Sequence, residues 1–442
     1  MKHNITKYIK LASLLLVLGA CQKGDIPNLN TPDASLITVN PTKGELDNLV
    51  TGLESGMRFN LGTYLEVVGV VGREIYRFAG SEPRYTIELL GGGASTLDNN
   101  TFYITNPWAS RYRTVRQGYL LIEGAQNATT ITEPVRKGYL GIAHTIMAYQ
   151  LLLNLNMTDE NGIRVDVADY KNLGPFVEKT PALEAIAQML DQGQADLTGA
   201  EIAFPLASGF DLAREAPDNA LTAAGLIRFN RALAARVAVY RQQWAAALTA
   251  LNASFFDLNG STSAGFYNSF STNSNDQLNP LFVPQNQSGE IRLAHPSYAT
   301  DIAPGDDRIA KATLRNASAT QNGLTSNRDA WVYTSNSAPI PIIRNEELVL
   351  IYAEAKIQTN AFPDAIVALN RIRIAHNLPA YTGALTQAAL LTEMLQQRRY
   401  SLFFEGHRWV DMRRYGRLGE LPKDRPGDDV WEEFPIPQTE NN

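Results

Sequence analysis

The sequence predicts a mostly α-helical protein in which two long polar segments interrupt a series of helix pairs. Apolar residues recur at helical spacing in several segments from about residue 45 onward. Small residues stand where neighbouring helices would cross. Residues 73–107 and 256–343 lack this periodicity and are rich in Asn, Ser, Thr and Gly. Long segments of this kind inside a compact domain are usually functional or disordered, and their aromatic residues argue against disorder.

Helical periodicity is found on both sides of the polar segments. The clearest case is 224–241, whose apolar stripe is Leu226, Phe229, Leu233, Val237 and Tyr240. Asn345 and Thr386 are expected N-caps, because their side chains can accept a hydrogen bond from a first-turn N–H. The other predicted helices are 133–155, with 108–124 as its hairpin partner, 181–199, 244–253, 345–358, 363–375 and 386–404.

The predicted helix pairs resemble tetratricopeptide-type hairpins. Such hairpins need small residues at the crossings, and Gly138, Ala143, Ala365 and Ala368 are suitably placed. No strict repeat of about 34 residues is present. The alternative is a generic helical domain whose alanines are simply good helix formers.

The first 21 residues have the layout of a lipoprotein signal peptide. A short region with three lysines precedes an apolar run over 11–18, and small residues precede Cys21. The run is shorter than the roughly 20 residues that span a bilayer. Cys21 is the only cysteine in the chain, so we expect it to carry lipid, such as palmitate. The alternative is an ordinary cleaved signal peptide with an incidental cysteine.

The predicted organisation follows from these observations. No internal apolar run is long enough for a second membrane span, and a single cysteine permits no intramolecular disulfide. In chain order we expect a signal peptide 1–20, a lipidated tether 21–44 and one domain 45–442, which comprises a helical part 45–255, a loop-rich insertion 256–343 and C-terminal helices 344–442.

The charge balance disfavours a nucleic-acid ligand. The chain has 39 Lys and Arg against 45 Asp and Glu, a net charge of −6. Removal of residues 1–20 removes three lysines, so the remainder carries 36 − 45 = −9. Nucleic-acid binding needs clustered basic residues. An acidic protein also gains little from anionic headgroups, so membrane attachment would depend on acyl chains.

The most informative internal segment is RRYSLFFEGHRWVDMRR, residues 398–414, where charges lie among large apolar residues and Gly406 suits a sharp helix end. It resembles the C-terminal signature of the SusD/RagB family. The segments RNEELVLIYAEA (344–355), PDAIVALNRIR (363–373) and FPIP (434–437) are similar to further segments of that family. Gln397 and Ser401 depart from the pattern, since the family usually has glutamate at both positions.

The resemblance implies both a fold and a function. The fold would be SusD-like, with four tetratricopeptide-like helix pairs and a less regular, loop-rich second half. The protein would be an outward-facing outer-membrane lipoprotein that binds an oligosaccharide or polysaccharide and delivers it to a TonB-dependent, SusC-like β-barrel transporter. Some family members bind peptide instead, which stays an alternative. On this resemblance Glu405, Arg408, Trp409 and Asp411 would stabilise the scaffold.

The residues themselves indicate binding more than catalysis. No nucleophile elbow, phosphate-binding loop, dinucleotide turn or zinc-binding helix motif is present, and no cofactor or metal is expected. Asp306 and Asp307 could be half of a carboxylate pair or calcium ligands, but a solvated turn after Pro304-Gly305 is the preferred interpretation. A lipoprotein glycoside hydrolase with an unrecognised carboxylate pair and a plain helical-repeat scaffold with no small ligand are the remaining alternatives.

We expect the ligand site in the two polar segments. Exposed aromatic rings can stack on the apolar faces of sugars, while Arg and Asn can hydrogen-bond the hydroxyls. The candidates are Tyr76, Arg84, Tyr85, Asn99, Phe102, Tyr103, Tyr298, Trp331 and Tyr333.

Overall fold

The computed structural model describes residues 37–206, 210–211 and 222–441. The predicted signal peptide and lipidation at Cys21 lie outside these residues. The described part of the chain is mostly helical and has only small sheets, as the sequence predicts. None of the described helices has the length and apolar character needed to cross a bilayer.

The described residues form twelve α-helices, most of them close to the predicted bounds. Helix 345–358 is found as predicted, whereas the predicted 108–124 is extended at both ends. The helices are α1 Lys43–Arg58, α2 Leu61–Val71, α3 Phe102–Asn127, α4 Glu133–Thr158, α5 Lys179–Leu197, α6 Ala223–Tyr240, α7 Trp244–Asn252, α8 Pro296–Asp301, α9 Asn345–Gln358, α10 Phe362–Ala375, α11 Gln387–Ser401 and α12 Arg408–Arg414.

Consecutive helices pack against each other, and small residues allow their close approach. Helix α3 contacts α4, α4 contacts α5, and α5 contacts α6. A Cβ atom at Gly141 of α4 would collide with Leu197 of α5, and one at Gly118 of α3 would collide with Met147. These helices share one large core, whereas α9, α10 and α11 enclose a second, smaller one.

The two N-cap predictions have different outcomes. Thr386 caps α11, because its hydroxyl accepts a hydrogen bond from the Ala389 N–H at 3.3 Å. The prediction for Asn345 is wrong, since Arg344 occupies the cap position of α9. The Asn345 side chain instead donates to the Asp257 carbonyl at 2.7 Å and accepts from the Asp257 N–H at 3.0 Å. It ties the start of α9 to the chain that follows α7.

The strands form three small sheets and join the two polar segments. A four-stranded sheet has the order β1-β6-β8-β7, a three-stranded sheet has the order β4-β5-β9, and β2 pairs with β3. The strands are β1 Ile75–Phe78, β2 Ile163–Arg164, β3 Phe176–Val177, β4 Phe210–Asp211, β5 Gly265–Asn268, β6 Ile291–Ala294, β7 Ala312–Gln321, β8 Leu324–Ala330 and β9 Ile340–Arg344. Because β1 pairs with β6, residues 73–107 and 256–343 form one structure.

The β7–β8 hairpin turns at Asn322-Gly323. Both residues have positive φ, 50° and 79°, as a two-residue hairpin turn of the primed type requires. The Asn322 side chain donates to the Thr86 hydroxyl at 2.8 Å, and Gln321 donates to the Ala79 carbonyl at 3.1 Å. These bonds fix the hairpin tip against the first polar segment.

The signature segment 398–414 comprises the last turn of α11, a turn at 402–407 and α12. Gly406 lies in this turn with a φ of 84°, but the helix end predicted there is found earlier, at Ser401. Arg398 Nε donates to Asp411 at 2.6 Å, Arg344 Nη2 donates to Glu405 at 2.9 Å, and Trp409 Nε1 donates to the Trp431 carbonyl at 2.8 Å. Glu405 and Trp409 therefore connect this segment to its surroundings, and Asp411 joins α12 to the end of α11, as the resemblance implies.

Gln397 and Ser401, which replace the glutamates usual in the resembling family, bind one buried arginine. Arg308 donates to Gln397 Oε1 at 2.7 Å and to Ser401 Oγ at 2.9 Å. The charge of Arg308 is balanced by Asp306, 2.7 Å away. The neutral residues at 397 and 401 thus accept hydrogen bonds from the arginine of an ion pair that lies within the loop-rich insertion.

Candidate functional site

An aromatic pair, Phe282 and Trp331, lies half-buried at the end of the four-stranded sheet. The ring centroids are 6.1 Å apart, and the rings are tilted by 51°. Trp331 directly follows β8, and its N–H donates to the Lys311 carbonyl at 2.7 Å. The backbone that carries the indole is therefore held at the start of β7.

The buried carboxylate of Asp329 fixes two loops beside this pair: residues 284–290, and residues 315–318, where a bulge interrupts the pairing of β7 with β8. One oxygen accepts the Asn286 N–H at 2.8 Å, and the other accepts the guanidinium of Arg315. Arg315 also donates to the Gln287 carbonyl at 2.8 Å, and the Asn316 N–H donates to Asn286 Oδ1 at 2.6 Å. Asp329, two residues before Trp331, thus holds residues 284–290 and 315–318 together.

The loops present polar side chains beside the aromatic pair. Residues 284–290 are exposed throughout. Within the described residues, no intramolecular hydrogen bond engages the side-chain amides of Gln285, Gln287 or Asn316. An amide can donate and accept hydrogen bonds at the same time. A tryptophan face with free amides nearby can bind a ligand that has flat apolar faces and hydroxyl edges.

In the first polar segment, Arg84 and Phe102 form a second cluster, and Asn99 lies near Phe102 in sequence. The guanidinium of Arg84 lies 5.1 Å from the ring centroid of Phe102, which is half-buried. Arg84 is already paired with Glu82 by two hydrogen bonds of 2.7 and 2.6 Å, and these bonds lower the pKa of the Glu82 carboxyl. Asn99 is half-buried, and its carbonyl accepts the Gln438 N–H at 3.0 Å.

The five tyrosines predicted for the site lie in the core, so the expectation that they are exposed is corrected. No more than 6% of any of them is exposed: Tyr76, Tyr85, Tyr103, Tyr298 and Tyr333. Their hydroxyls form hydrogen bonds with other groups inside the protein. Tyr85 donates to Glu66 at 2.9 Å, and Tyr333 donates to the Phe404 carbonyl at 3.0 Å. In this structure their rings offer no face to a ligand.

The structure separates the remaining predicted residues into two places. Arg84, Asn99 and Phe102 lie in the first polar segment, while Trp331 lies with Phe282 in the second. Sequence reasoning did not single out Phe282, because its setting, LFVP, reads as ordinary core. The signal that could have identified it is the exposed, amide-rich run PQNQS that follows at 284–288.

The neighbouring aspartates Asp306 and Asp307 are engaged separately. The preferred interpretation as a solvated turn is wrong for Asp306. This residue is buried, and Arg308 donates hydrogen bonds to both of its carboxylate oxygens, at 2.9 and 2.7 Å. Asp307 is exposed and lies 2.8 Å from His376 Nδ1. Across the described residues, no group of three or more His, Cys, Asp or Glu side chains could hold a metal ion.

Comparison with known proteins places this geometry in a known fold. A sequence model of the SusD family matches residues 304–440. A SusD superfamily protein from Bacteroides vulgatus has a TM-score of 0.67 at 13% identity, over 90% of this chain and 97% of its own. The chain has a SusD-like fold. The resemblance to the SusD/RagB family that the sequence shows is thereby confirmed.

Two further SusD-like neighbours are described as glycan-binding proteins. Surface glycan-binding protein A from Bacteroides uniformis has a TM-score of 0.67 at 15% identity, over 90% of this SusD-like chain and 97% of its own. A protein of the same description from Bacteroides thetaiotaomicron, in complex with laminarihexaose, has a TM-score of 0.66 at 13% identity, with the same coverage. A search of curated proteins finds no match.

Proposed function

We propose that this SusD-like chain is an outward-facing, lipid-anchored outer-membrane protein that binds oligosaccharide or polysaccharide nutrient. It delivers this nutrient to a TonB-dependent, SusC-like β-barrel transporter. The observation that carries the proposal is the Phe282–Trp331 pair, placed beside unengaged amides in a fold whose solved neighbours include glycan-binding proteins.

An open surface of this kind is better suited than a deep pocket to the capture of a sugar chain. Trp331 supplies a broad apolar face for a sugar ring, and the amides of residues 285, 287 and 316 supply hydrogen bonds for hydroxyls. Because the loop at 284–290 is exposed along its length, a polymer can pass across the site without a free end.

The carboxylates near this surface argue for binding over hydrolysis. Glycoside hydrolases need two carboxyl groups that are separated by about 5–10 Å and flank the bond to be cleaved. Both oxygens of Asp329 are engaged by Asn286 and Arg315. Glu290 is engaged by Arg77 at 2.6 Å and by Ser81 at 2.9 Å. Both carboxylates thus already hold the loops and strands of this surface, which supports binding over hydrolysis.

A binding screen tests the ligand class. The full chain would be titrated calorimetrically with laminarihexaose, maltohexaose and cellohexaose, and in parallel with mixed peptides of similar mass. Saturable binding of at least one glycan is the expected result. Binding of peptides alone would favour the peptide alternative, and release of shortened products on prolonged incubation would favour the hydrolase.

An affinity purification tests the proposed partner and anchor. The full-length protein would be isolated from detergent-solubilised native membranes, with a Cys21→Ala variant as control. We expect a TonB-dependent barrel in near-equal amount with the unaltered protein, and release of the variant from the membrane fraction. Recovery of the unaltered protein alone would contradict the delivery step.

A further inference from the structure

A small cavity lined by arginines lies beside the signature segment. Its volume is about 180 Å³, and it lies between α8, α11, α12 and the chain at 417–422. Arg399, Arg408 and Arg417 line it, together with the carboxylates of Asp301 and Glu420. The cavity shares no residue with the Phe282–Trp331 pair and its loops.

Arg408 is the unusual member of this set. Within the described residues it has no ion-pair partner, and its Nε is buried without a hydrogen bond. Burial, reinforced by the positive charge of Arg399, lowers the pKa of Arg408 to about 10, so the guanidinium stays charged at neutral pH. Arg408 as a whole is half-buried, but a cation that is unpaired and has a buried, unbonded Nε is costly, and native proteins normally satisfy it.

The neighbouring arginines have partners of their own. Arg399 lies 2.9 Å from Asp301 and donates to Ser297 Oγ at 2.7 Å. Arg417 donates to Thr392 Oγ1 at 2.9 Å and lies 3.7 Å from Glu420. Both carboxylates point largely into solvent, with 49% and 61% of their side chains exposed. Asp301 also acts on Arg408, but two carboxylates face three arginines, so one positive charge is left unbalanced.

The other carboxyl group that acts on Arg408 is Glu74, which does not balance the charge. Burial raises the pKa of Glu74 to about 8, so this group is largely protonated and neutral at neutral pH. The arginines therefore keep an excess of positive charge on a concave surface.

We infer that this cavity binds a small oxyanion, namely a carboxylate, sulfate or phosphate group, with Arg408 as its principal ligand. A guanidinium forms paired, charge-assisted hydrogen bonds with such groups, and Arg399 and Arg417 can add donors from the sides. The volume is below the roughly 300 Å³ at which drug-sized ligand pockets begin, so it suits a free anion or one anionic substituent of a larger molecule.

This inference does not rest on the glycan proposal. It assigns a site to Arg408, for which the sequence resemblance implies only a scaffold role. Loss of glycan binding at Trp331 would leave the oxyanion site intact, and loss of the oxyanion site would leave glycan binding at Trp331 intact.

Calorimetry with four probes tests the inference. Sodium sulfate and sodium phosphate represent free anions, sodium glucuronate represents an anionic sugar, and glucose is the neutral control, all at matched ionic strength. We expect saturable one-site binding of at least one anion and none of glucose. Tighter binding of glucuronate than of the inorganic anions would identify an acidic sugar as the ligand class, and the reverse order a free anion.

Variants locate the site. Arg417→Ala removes a half-buried lining donor, and Arg408→Lys keeps a charge but loses the guanidinium fork. Each variant should bind the anion with an affinity lower by about tenfold or more than that of the unaltered protein. Arg228→Ala, at an exposed arginine of α6 outside the cavity, should bind like the unaltered protein.

Arg417→Ala decides the test if substitution at Arg408 prevents folding, since Arg417 lies nearer the surface. Anion binding that is absent in the unaltered protein, or equal in the Arg417 and Arg228 variants, would overturn the inference.

Discussion

Arg236 of α6 and Glu347 of α9 form a buried, two-point ion pair. Nε lies 2.7 Å from Oε1 and Nη2 lies 2.6 Å from Oε2, and only 5% and 2% of the side chains are exposed. His407 of the signature segment lies 3.7 Å from the same carboxylate. The pair joins the helices before the loop-rich insertion to those after it.

Replacement of Glu347 by Gln should destabilise the protein strongly. Burial alone would raise the pKa of Glu347, but the charges of Arg236 and His407 lower it to about 2, so the carboxylate is charged in the folded protein. The variant leaves Arg236 buried without a counter-charge, which costs about 3–5 kcal/mol in the free energy of unfolding. Urea unfolding measures this loss. Lys423→Ala, in an exposed pair, should cost less than about 1 kcal/mol.

Replacement of Trp331 by Ala should weaken glycan binding with little effect on stability. The half-buried ring contacts Phe282, so its removal deletes a stacking face without opening a deep cavity. We expect about tenfold weaker affinity by calorimetry, and partial retention in Trp331→Phe. Tyr170→Ala is the matched control, because Tyr170 is an exposed aromatic residue of the helical part, 58% exposed. Equal losses in the Trp331 and Tyr170 variants would argue against the proposed surface.

Replacement of Asp329 by Asn should mobilise the loops beside Trp331. The variant loses the charged acceptor that binds both Arg315 and the Asn286 N–H. We expect faster amide hydrogen exchange at 284–290 and 315–318, together with weaker glycan binding. Glu290→Gln, which alters an exposed carboxylate paired with the buried Arg77, should leave exchange at 315–318 unchanged. Unaltered exchange in the Asp329 variant would show that the loops are held by other contacts.

Glu74 should make the protein less stable as the pH rises. Burial raises its pKa from an ordinary value of 4.5 to about 8, against the opposing effect of the Phe404 N–H that donates to it. Between these values the folded protein holds a proton that the unfolded chain has lost, so stability falls with rising pH, by up to about 1.4 kcal/mol per pH unit.

Glu74→Gln removes this dependence. Thermal melts of the variant and the unaltered protein should agree near about pH 4 and diverge toward about pH 8, where the variant is the more stable. Glu82→Gln should change the pH dependence of stability in the opposite direction. The hydrogen bond from Arg84 lowers the pKa of Glu82, so its charged form contributes stability that is lost as the pH falls. A Glu74 variant that is less stable at every pH would contradict the expectation.

Gly406→Ala should destabilise the turn between α11 and α12. Gly406 has a φ of 84°, and a Cβ there would lie 3.1 Å from Leu65 Cδ2, so both the backbone and the packing resist a side chain. The expected cost is about 1–3 kcal/mol in the free energy of unfolding. Gly80→Ala is the control, because its added Cβ meets nothing within 4 Å. Similar effects of the two substitutions on urea unfolding would refute the strain argument.

Local features of the fold could be predicted from the sequence. Helix 345–358 depends on periodicity within a few residues, so it is readable without the rest of the chain. The burial of Tyr76 and Tyr298 could not be predicted in the same way. Tyr76 is enclosed because β1 pairs with β6, which lies in the other polar segment.

The candidate site shows the same limit. Trp331 could be selected from its type and its polar surroundings, but its contact with Phe282 and the role of Asp329 depend on how distant loops meet. Arg408 is a different case. Its motif predicts paired charge, and the absence of a partner among the described residues becomes visible only when Asp301, Glu74 and Glu420 are located around it.

The pairing of Ile75 with Ala294 also bears on the order of folding. Helices α1 to α7 can form from contacts between close neighbours along the chain, as helical hairpins do rapidly. The sheet must wait until β6 has been made, and loop closure over so long a stretch is slow. The polar segment 73–107 would stay unpaired during that interval, so its solubility in the half-made chain depends on its own composition. Its glycines, asparagines and threonines would then help the nascent protein avoid premature association before its partner strand arrives.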